Sequence, residues 1–477
     1  MKSNSYRVLL CLPMMLAACG GSDDSTNGSG GATSSGGAIG VGGAAAGGGA
    51  GGAATGGNAG AATGGSAGAA TGGSAGTAGS GGGSAVQGKV VDLLGLAVPN
   101  VPVVIAGQQT ATGADGSFSI PNVAATYTAS IVSPNGVAYV YVDLKRRDPQ
   151  LQLRMLAQKE QTGTLSGHAP ALKPDFDTKS HHAVFASENG RSDPSFSSIF
   201  DSTTWSVTPE WYGASTVSGF VHLIQRTKDA QGKTLSYSAY GRLPVTLSAG
   251  GSLTQLPIAV SNPAEGKLTG TVTVPSGYTL KLKRVDTNFS DTSSVHLHTD
   301  ATAAAAFDFL TFDVGSQISG FTLLVSADGA GDTAMQIVPA NATQNVNVTL
   351  QKPPALITPV ANATGVTTST SFSVAEMNSS VSVIHFIPDT SGQPNVYVIT
   401  SANTATIPDL SGLGLALPSE AGYRWQVLGV GGFTDTDSTA GKDGVFDAAE
   451  YNLSRRKRVS VWRNYGISEI RKFTTGK

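Results

Sequence analysis

Apolar and polar residues alternate in short runs along the chain from residue 86 onward. Separated by turn residues, these runs lie at 101–105, 118–120, 127–131, 218–224, 235–240, 255–260, 280–285, 318–326 and 346–350. A period of two places every second side chain on one face of a β-strand. The pattern therefore predicts an all-β protein. Only residues 301–310 are expected to form a short helix.

Similar glycine-containing strand openings recur along this part of the chain. The opening at 88–91 (GKVV) is followed by others at 163–167 (GTLSG) and 266–272 (GKLTGTV), spaced like the starts of successive sandwiches. Pro353-Pro354 then provides a stiff joint before the last part of the chain. We expect four β-sandwiches, which occupy residues 86–157, 160–265, 266–352 and 353–477.

Residues 19–85 have a different composition, almost entirely Gly, Ala, Ser and Thr, with no apolar face to build a core. Three near-identical octapeptides follow one another at 53–60, 61–68 and 69–76. We expect a disordered tether, and a flexible coil of this length has a root-mean-square span of about 45 Å.

The N-terminal residues contain a targeting signal. Residues 8–18 are an apolar run too short to span a bilayer, preceded by Lys2 and Arg7. Leu16-Ala17-Ala18-Cys19 resembles the lipobox of bacterial lipoproteins. The resemblance implies a signal peptide at 1–18, lipidation of Cys19, and membrane anchoring through the lipid. Because Gly20 replaces the aspartate that favours retention in the inner membrane, it also implies an outer-membrane lipoprotein, on the periplasmic face or the cell surface. The alternative is an ordinary secretory signal with an incidental cysteine.

Cysteine content and charge limit the possible chemistry further. The only cysteines are Cys11, inside the signal peptide, and Cys19, so the mature protein is expected to lack disulfides. The formal net charge is −2 and 13% of the 477 residues are charged. Such a balance gives no global attraction for nucleic acid, and no specific nucleic-acid partner is expected.

The first predicted unit carries a family resemblance. Gly88 to Asp92, Pro99, Pro102 to Val104 and Thr112 to Phe118 stand in the order found in the carboxypeptidase regulatory-like domain, a small prealbumin-like β-sandwich. Asp115-Gly116 fits a tight turn that places Phe118 on the inner face of the next strand. The resemblance implies a non-catalytic folding or spacing module.

The last predicted unit resembles a fibronectin type III or related Ig-like domain. The resemblance rests on residues 363–366 (ATGV), 370–373 (TSFS), 423–427 (YRWQV) and 468–474 (SEIRKFT). Tyr423, Trp425 and Val427 are expected to share one face of a strand. A charged insertion, 433–466, separates that strand from the last one and is expected to be strongly solvated.

Part of the insertion resembles the second half of an EF-hand calcium loop. Asp443-Gly444 provides a sharp turn, Val445 is apolar, and Glu450 can bind bidentately. The candidate calcium ligands are Asp435, Asp437, Asp443, Asp447 and Glu450. The first half departs from the motif, since Thr439 and Gly441 occupy two acidic positions. The alternative is a charged turn that leads into a short helix.

A basic segment, Arg455-Arg456-Lys457-Arg458, follows this loop and precedes Trp462. Cations beside an aromatic ring can bind phosphate groups or another acidic polymer. A solvated basic face that offsets the acidic loop is the alternative.

Several other residues invite chemical interpretations. His181-His182 after Asp175 and Asp177 could form a metal or acid–base cluster, but a solvated turn is favoured. His296 and His298 share a strand face, a spacing that a metal could use, but no third ligand is visible and they are interpreted as exposed polar residues. Trp205 and the pair Trp211-Tyr212 could stack on sugars, although core aromatics are favoured.

The sequence contains no zinc-protease motif, no nucleophile elbow within a predicted sandwich and no phosphate-binding loop. It predicts a non-enzymatic, lipid-anchored envelope protein whose tandem Ig-like and prealbumin-like β-sandwiches serve binding, adhesion or spacing. Its expected partners are the membrane and an envelope polysaccharide or another surface protein. The alternatives are a polysaccharide-acting hydrolase and a calcium-dependent adhesin.

Overall fold

Strands follow the alternating pattern throughout the part of the chain that can be described. The computed structural model describes residues 83–168, 179–187, 190–192, 195–197, 204–229, 233–290, 294–375, 381–442, 444–446 and 463–477. Residues Gly81–Lys477 form one compact unit. The predicted signal peptide, Cys19 and nearly all of the tether lie outside the described residues. The all-β fold class is confirmed.

The first sandwich contains seven strands. They are β1 Ser84–Val91, β2 Pro102–Ile105, β3 Gln108–Ala111, β4 Ser117–Val123, β5 Tyr127–Val132, β6 Val137–Leu144 and β7 Gln150–Gln152. A sheet in the order β4-β1-β7 packs on strands in the order β6-β5-β2-β3, and both contribute to one core. Gly116 has a φ of 72°, and Asp115 accepts a hydrogen bond from Ser117 N at 3.1 Å. The predicted turn that buries Phe118 is confirmed.

The second sandwich contains the strands β8 Glu160–Thr162, β9 Thr164–His168, β10 Lys179–Ala186, β11 Gly190–Ser192, β12 Ser195–Ser197, β13 Thr204–Val207, β14 Pro209–Tyr212, β15 Thr216–Lys228, β16 Thr234–Ser248 and β17 Ser252–Pro257. Its sheets are β13-β9-β17 and β16-β15-β10-β11-β14-β8, with β12 paired to β10 in the second sheet. Trp205 and Trp211 are 3% and 1% exposed, as favoured for core aromatics. The turn expected at His181-His182 is wrong, because β15 pairs with this segment and extends it as β10.

The third sandwich contains the strands β18 Ala264–Thr273, β19 Thr279–Phe289, β20 Ser294–Asp300, β21 Ala306–Asp313, β22 Ile318–Asp328, β23 Thr333–Ala340 and β24 Gln344–Thr349, with a 3₁₀ turn at Gly315–Gln317. The sheet β21-β18-β24 packs on β20-β19-β22-β23. The helix expected at 301–310 is wrong. Phe307 and Phe309 alternate with the exposed Asp308 on β21, and pairing with β18 overrides the helix propensity of the alanines before them.

In its described residues the fourth sandwich contains the strands β25 Ala355–Thr358, β26 Ala363–Val366, β27 Phe372–Ala375, β28 Val381–Pro388, β29 Asn395–Thr400, β30 Thr404–Ala405, β31 Gly422–Val430, β32 Arg463–Ile467 and β33 Arg471–Thr475. It also contains a 3₁₀ turn at Ser411–Leu413 and a short helix, α1, at Thr436–Thr439. Tyr423, Trp425 and Val427 on β31 are all at most 1% exposed, so their predicted common inner face is confirmed.

One sheet continues across three of the four sandwiches. Its order is β20-β19-β22-β23-β32-β31-β28-β29-β6-β5-β2-β3, with β33 beside β31 and β26 beside β33. Strand β23 of the third sandwich pairs with β32 of the fourth, and β29 of the fourth pairs in parallel with β6 of the first. The first, third and fourth sandwiches are therefore joined by backbone hydrogen bonds.

Candidate functional site

The insertion that carries the candidate calcium ligands begins with a capped helical turn. Asp435 is the N-cap of α1, and its carboxylate accepts a hydrogen bond from Ser438 N at 2.9 Å. The Ser438 hydroxyl in turn accepts a hydrogen bond from Asp435 N at 3.2 Å. This reciprocal capping box accounts for Asp435 as a structural residue.

Asp437 connects the insertion to the first sandwich. Its Oδ1 atom accepts hydrogen bonds from Lys145 N at 2.7 Å and Arg146 N at 3.0 Å, just after β6. The Arg146 guanidinium donates to the carbonyl of Asp437 at 3.2 Å, and Gln150 N donates to the carbonyl of Ala440 at 2.7 Å. Asp437 thus links two sandwiches that are almost 300 residues apart in sequence.

Apolar residues of the insertion complete the core of the first sandwich. Phe433, Ala440, Val445 and Phe446 are all at most 5% exposed and belong to that core. Gln152 also accepts a hydrogen bond from Phe446 N at 3.0 Å. The expectation of a strongly solvated insertion is wrong for its described residues, because their apolar side chains are buried between two sandwiches.

The predicted calcium site is divided by these contacts. Asp435 and Asp437 lie in the described chain and already accept backbone hydrogen bonds, whereas Asp443, Asp447 and Glu450 lie outside the described residues. Among the residues described, no three His, Cys, Asp or Glu side chains cluster as metal ligands would. Calcium binding stays a prediction. The basic segment Arg455-Arg456-Lys457-Arg458 and Trp462 also lie outside the described residues.

Aromatic rings cover the junction between β6 and β29, which we call the seam. Tyr139 on β6 stacks on Tyr397 on β29, with ring centroids 5.2 Å apart and an interplanar angle of 9°. Phe446 of the insertion meets both rings edge-on at 5.5 Å, and His385 stacks on Tyr397 at 3.9 Å. Burial lowers the pKa of His385 to about 3, and the nearby Arg154 guanidinium acts in the same direction. His385 is therefore neutral at pH 7.

A cleft of about 480 Å³ lies between the first and second sandwiches. One wall consists of the β1–β2 loop at Leu96 and Ala97 together with Gln158. The other consists of Ser187 with residues 211–214 and 216–218, at the end of β14 and the start of β15. This volume lies within the range of about 300 to 1,000 Å³ that is usual for small-molecule sites. Its size makes it a candidate binding site in the described part of the chain.

Hydrogen bonds hold the lining of the cleft in place. The Trp211 indole N–H donates to the carbonyl of Ala214 at 2.8 Å, and the Tyr212 hydroxyl donates to the Glu160 carboxylate at 2.8 Å. The Gln158 amide donates to the carbonyl of Ala97 at 2.9 Å. Because Trp211 and Tyr212 are 1% and 8% exposed, they support the wall and do not present an open stacking face.

Hydroxyl groups give the cleft its polar character. Ser187, Thr216 and Ser218 line it together with Gln158. Hydroxyl and amide groups both donate and accept hydrogen bonds, so this lining suits a neutral polyhydroxylated ligand better than a charged one.

The histidines on β20 serve two structural roles. His296 Nδ1 lies 3.0 Å from Asp286 Oδ1, which also accepts a hydrogen bond from Arg284 Nε at 2.9 Å. Although burial opposes its ionisation, Arg284 and His296 lower the pKa of Asp286 well below its ordinary value. His298 is only 7% exposed, so its interpretation as an exposed strand residue is wrong. It packs against β16 of the second sandwich through Tyr237.

The sequence analysis does not predict the contact of Asp437 or the seam, and only the seam has a recognisable sequence pattern. Asp437 binds backbone N–H groups almost 300 residues away, which no local motif indicates. By contrast, β6 (VAYVYVDL) and β29 (NVYVIT) are nearly continuous apolar runs with both faces buried. Such runs are typical of strands inside a sheet that is covered on both sides.

Comparison with known proteins found no matching family model and no matching curated protein. Among solved structures, similarities include the Bacillus anthracis TIE protein (9% identity, TM-score 0.13), with 56% of this chain and 50% of that chain covered. The major pilin subunit of Bacillus cereus (7% identity, TM-score 0.13) is covered over 99% of its length by 56% of this chain. Two B repeat units of the Staphylococcus aureus collagen binding protein (9% identity, TM-score 0.13) are covered over 92% of their length by 72% of this chain. At these TM-scores the similarities support no inference about what this chain binds.

The chain thus spans half the length of the first of these proteins. In the described residues, none of the helices is both long and apolar enough to cross a bilayer.

Proposed function

We propose that this chain is a lipid-anchored cell-envelope protein that presents β-sandwiches for binding or adhesion. One observation carries the proposal. The first described strand, β1, begins at Ser84, directly after the Gly/Ala/Ser/Thr-rich segment that follows Cys19, and the described chain beyond it forms β-sandwiches. A tether between a lipidated cysteine and a folded body places that body away from the membrane.

The anchoring step is tested by expressing the full chain in a diderm bacterium that is fed a clickable palmitate analogue. We expect label on the wild-type chain and its recovery in the outer-membrane fraction. Cys19→Ser removes the acceptor thiol, while Cys11→Ser is the matched control and should keep both properties. Unlabelled wild-type protein, or a Cys19→Ser chain that stays with the membrane, would reject the anchor. Protease added to intact cells then distinguishes the cell surface from the periplasmic face.

The proposed mode of action is binding and not catalysis. Two buried carboxylates of the described chain have structural partners that account for them. Asp92 accepts hydrogen bonds from the backbone N–H groups of Leu94 at 2.8 Å, Leu96 at 3.0 Å and Ala157 at 3.1 Å. Asp286 lies between Arg284 and His296. Neither carboxylate lines the cleft.

We place the binding site in the cleft between the first two sandwiches, with a neutral envelope polysaccharide as the ligand class. Its hydroxyl and amide lining and its volume support this assignment. Retention of the full chain on immobilised neutral and acidic polysaccharides tests it. Thr216→Val removes one cleft hydroxyl, and Thr128→Val, an exposed threonine on β5 outside the cleft, is the matched control.

We expect Thr216→Val to weaken retention on the neutral polysaccharide about fivefold, as the loss of one hydrogen bond of about 1 kcal/mol would. Equal retention of all variants would remove the cleft from the binding site. New reducing ends released from the polysaccharide would favour the hydrolase alternative. Retention that is lost in a calcium chelator and is insensitive to the cleft variants would favour the calcium-dependent adhesin.

A further inference from the structure

Each sandwich pairs a strand near its start in parallel with its last strand. The pairs are β1 with β7, β9 with β17, β18 with β24 and β26 with β33. The other described pairing that runs in parallel is the seam between β6 and β29. Antiparallel pairing is more common in proteins overall, so four parallel pairs at equivalent positions are a distinctive feature of this chain.

The ladder that holds β1 against β7 continues past both strands. Gln87 N donates to the carbonyl of Arg147 at 2.8 Å, and Lys89 N donates to the carbonyl of Pro149 at 2.9 Å. Further bonds join Leu153 N to the carbonyl of Val91 at 2.8 Å and Leu93 N to the carbonyl of Met155 at 3.0 Å. These four backbone hydrogen bonds at alternate residues extend the ladder to seven residues of β1 and its continuation.

The equivalent pair in the third sandwich has the most paired strand residues. Residues Leu268 to Thr273 pair with Gln344 to Thr349, and Leu350 N adds a hydrogen bond to the carbonyl of Thr273 at 2.9 Å. Gly270 lies at the closest approach, where a Cβ atom would come within 1.8 Å of the Val346 carbonyl oxygen. This position therefore requires glycine for the two backbones to meet.

The direction of these pairs determines how they respond to a pulling force. The chain enters the first sandwich at the N-terminal end of β1 and leaves it at the C-terminal end of β7. In a parallel pair these are opposite ends, so tension along the chain slides the two strands past each other. All hydrogen bonds of the ladder then resist together, whereas strands pulled from the same end separate one hydrogen bond at a time.

We propose that the sandwiches are modules that resist mechanical force, and that the parallel strand pairs are the clamps that hold them against tension along the chain. The proposal adds a mechanical role to the anchored binding protein proposed above, because a tethered body that binds a surface transmits force through β1. Its test measures the clamp directly and does not depend on lipidation or on the ligand.

The test is single-molecule pulling of the full chain through cysteine handles, in a Cys11→Ser, Cys19→Ser background. Handles at Ser84→Cys and Lys159→Cys load β1 and β7 from opposite ends. Handles at Ser84→Cys and Ala125→Cys load β1 and β4 from the same end, since Ser84 faces Val123. All three positions are exposed. Rupture is recognised by the length of chain released, which is roughly 260 Å for the handles at 84 and 159 and roughly 140 Å for the handles at 84 and 125.

We expect the opposite-end geometry to rupture at a force at least about twice that of the same-end geometry, because forced unfolding reports the barrier along the loaded path. Equal forces, or a weaker opposite-end geometry, would overturn the proposal. Both geometries load β1 and change no strand residue except the exposed Ser84, so the comparison does not depend on how a strand variant folds.

Proline variants then locate the resistance. Gln87→Pro with Lys89→Pro removes two N–H donors that point at β7 and changes only exposed side chains. Ser119→Pro is the matched control, because Ser119 is exposed on the edge strand β4 and lies directly opposite Gln87. We expect the double variant to lower the opposite-end force to about half and the control to leave it unchanged. If the double variant ruptures at the same force as the wild-type strands, the pairing of β1 with β7 is not the source of the resistance.

Discussion

The seam between the first and fourth sandwiches and the contact between the second and third sandwiches are built in different ways. At the seam, five residue pairs from Val137 with Asn395 to Tyr141 with Ile399 join β6 and β29 through their backbones. Stacked aromatic rings and the insertion cover it. The second and third sandwiches belong to separate sheets and meet through side chains.

Those side chains form what we call the polar joint. Tyr237 Oη lies 2.9 Å from His298 Nε2, and the same nitrogen lies 2.7 Å from the carbonyl oxygen of Leu310. The Arg226 guanidinium donates to the carbonyl of Leu297, and the Glu265 carboxylate accepts a hydrogen bond from Tyr237 N at 2.8 Å. Buried polar groups of this kind stabilise a contact only while every partner is present.

The difference predicts separate weaknesses. The seam combines backbone bonds, which most substitutions leave intact, with a large apolar contact that depends on ring volume. The polar joint depends on individual hydrogen bonds and on the protonation of one histidine. Removing a ring should therefore damage the seam most, and removing one hydroxyl should affect the polar joint modestly.

The largest effect is expected for Tyr397→Ala at the seam. The substitution removes the ring that stacks on Tyr139 and His385 and leaves a cavity beside Phe446. Buried aromatic-to-alanine changes cost about 4 kcal/mol. Urea denaturation of the full chain measures the free energy of unfolding. Tyr397→Phe keeps the stack and loses the hydrogen bond from Arg154, so a loss as large as that of the alanine variant would contradict the role of the ring.

Acid should weaken both contacts through one buried histidine each. Burial lowers the pKa of His298 to about 3, assisted by Arg226, and burial lowers the pKa of His385 to about 3, assisted by Arg154. An unfolded histidine has a pKa of about 6.5. The unfolded chain therefore binds more protons between those values, and the free energy of unfolding falls as the pH falls from about 6.5 towards 3.

Between pH 7 and pH 5 each histidine should lower the free energy of unfolding by about 2 kcal/mol. Urea denaturation at the two pH values measures the change, in a range above the usual pKa of carboxylates. His298→Gln should remove the part of the pH dependence that comes from the polar joint and leave the part that comes from the seam. An unchanged pH dependence in this variant would show that His298 is not buried in its neutral form.

Asp437→Ala should weaken the contact between the insertion and the first sandwich at a smaller cost. The backbone N–H groups of Lys145 and Arg146 would lose a carboxylate acceptor that lies near the protein surface. Hydrogen bonds to charged groups contribute about 1.5 to 3 kcal/mol, and partial access of water places this case near about 1.5 kcal/mol. Hydrogen exchange of the Lys145 and Arg146 amides should accelerate. Asp435→Ala removes only the helix cap, so it should leave those two amides protected.

The sequence predicts the fold class because strand periodicity is local. Trp425 and its neighbours on β31, the turn at Asp115-Gly116 and the burial of Trp205 and Trp211 all follow from residues close to them in the chain. The strand at 306–313 was missed, because alanines favour a helix until β18 provides hydrogen-bond partners.

The seam and the position of the insertion could not be predicted in the same way. They arise where residues from distant parts of the chain meet, as Asp437 meets Lys145 and as Val445 enters the core of the first sandwich. The number of charged residues predicts a solvated insertion. It gives no weight to the few apolar side chains of the insertion that pack into the core of the first sandwich. Apolar runs without alternation, as on β6 and β29, are the sequence signal for such contacts.

The smallest effect is expected for Tyr237→Phe at the polar joint. The ring remains packed 4.9 Å from Phe312, and only the hydroxyl beside His298 is lost. His298 keeps the carbonyl of Leu310 as a partner and Arg226 keeps the carbonyl of Leu297, so the cost should be about 1 kcal/mol. Urea denaturation at pH 7 measures it. A loss of stability as large as that of Tyr397→Ala would mean that the polar joint depends on this hydroxyl as strongly as the seam depends on the Tyr397 ring. The two contacts would then differ in geometry and not in strength.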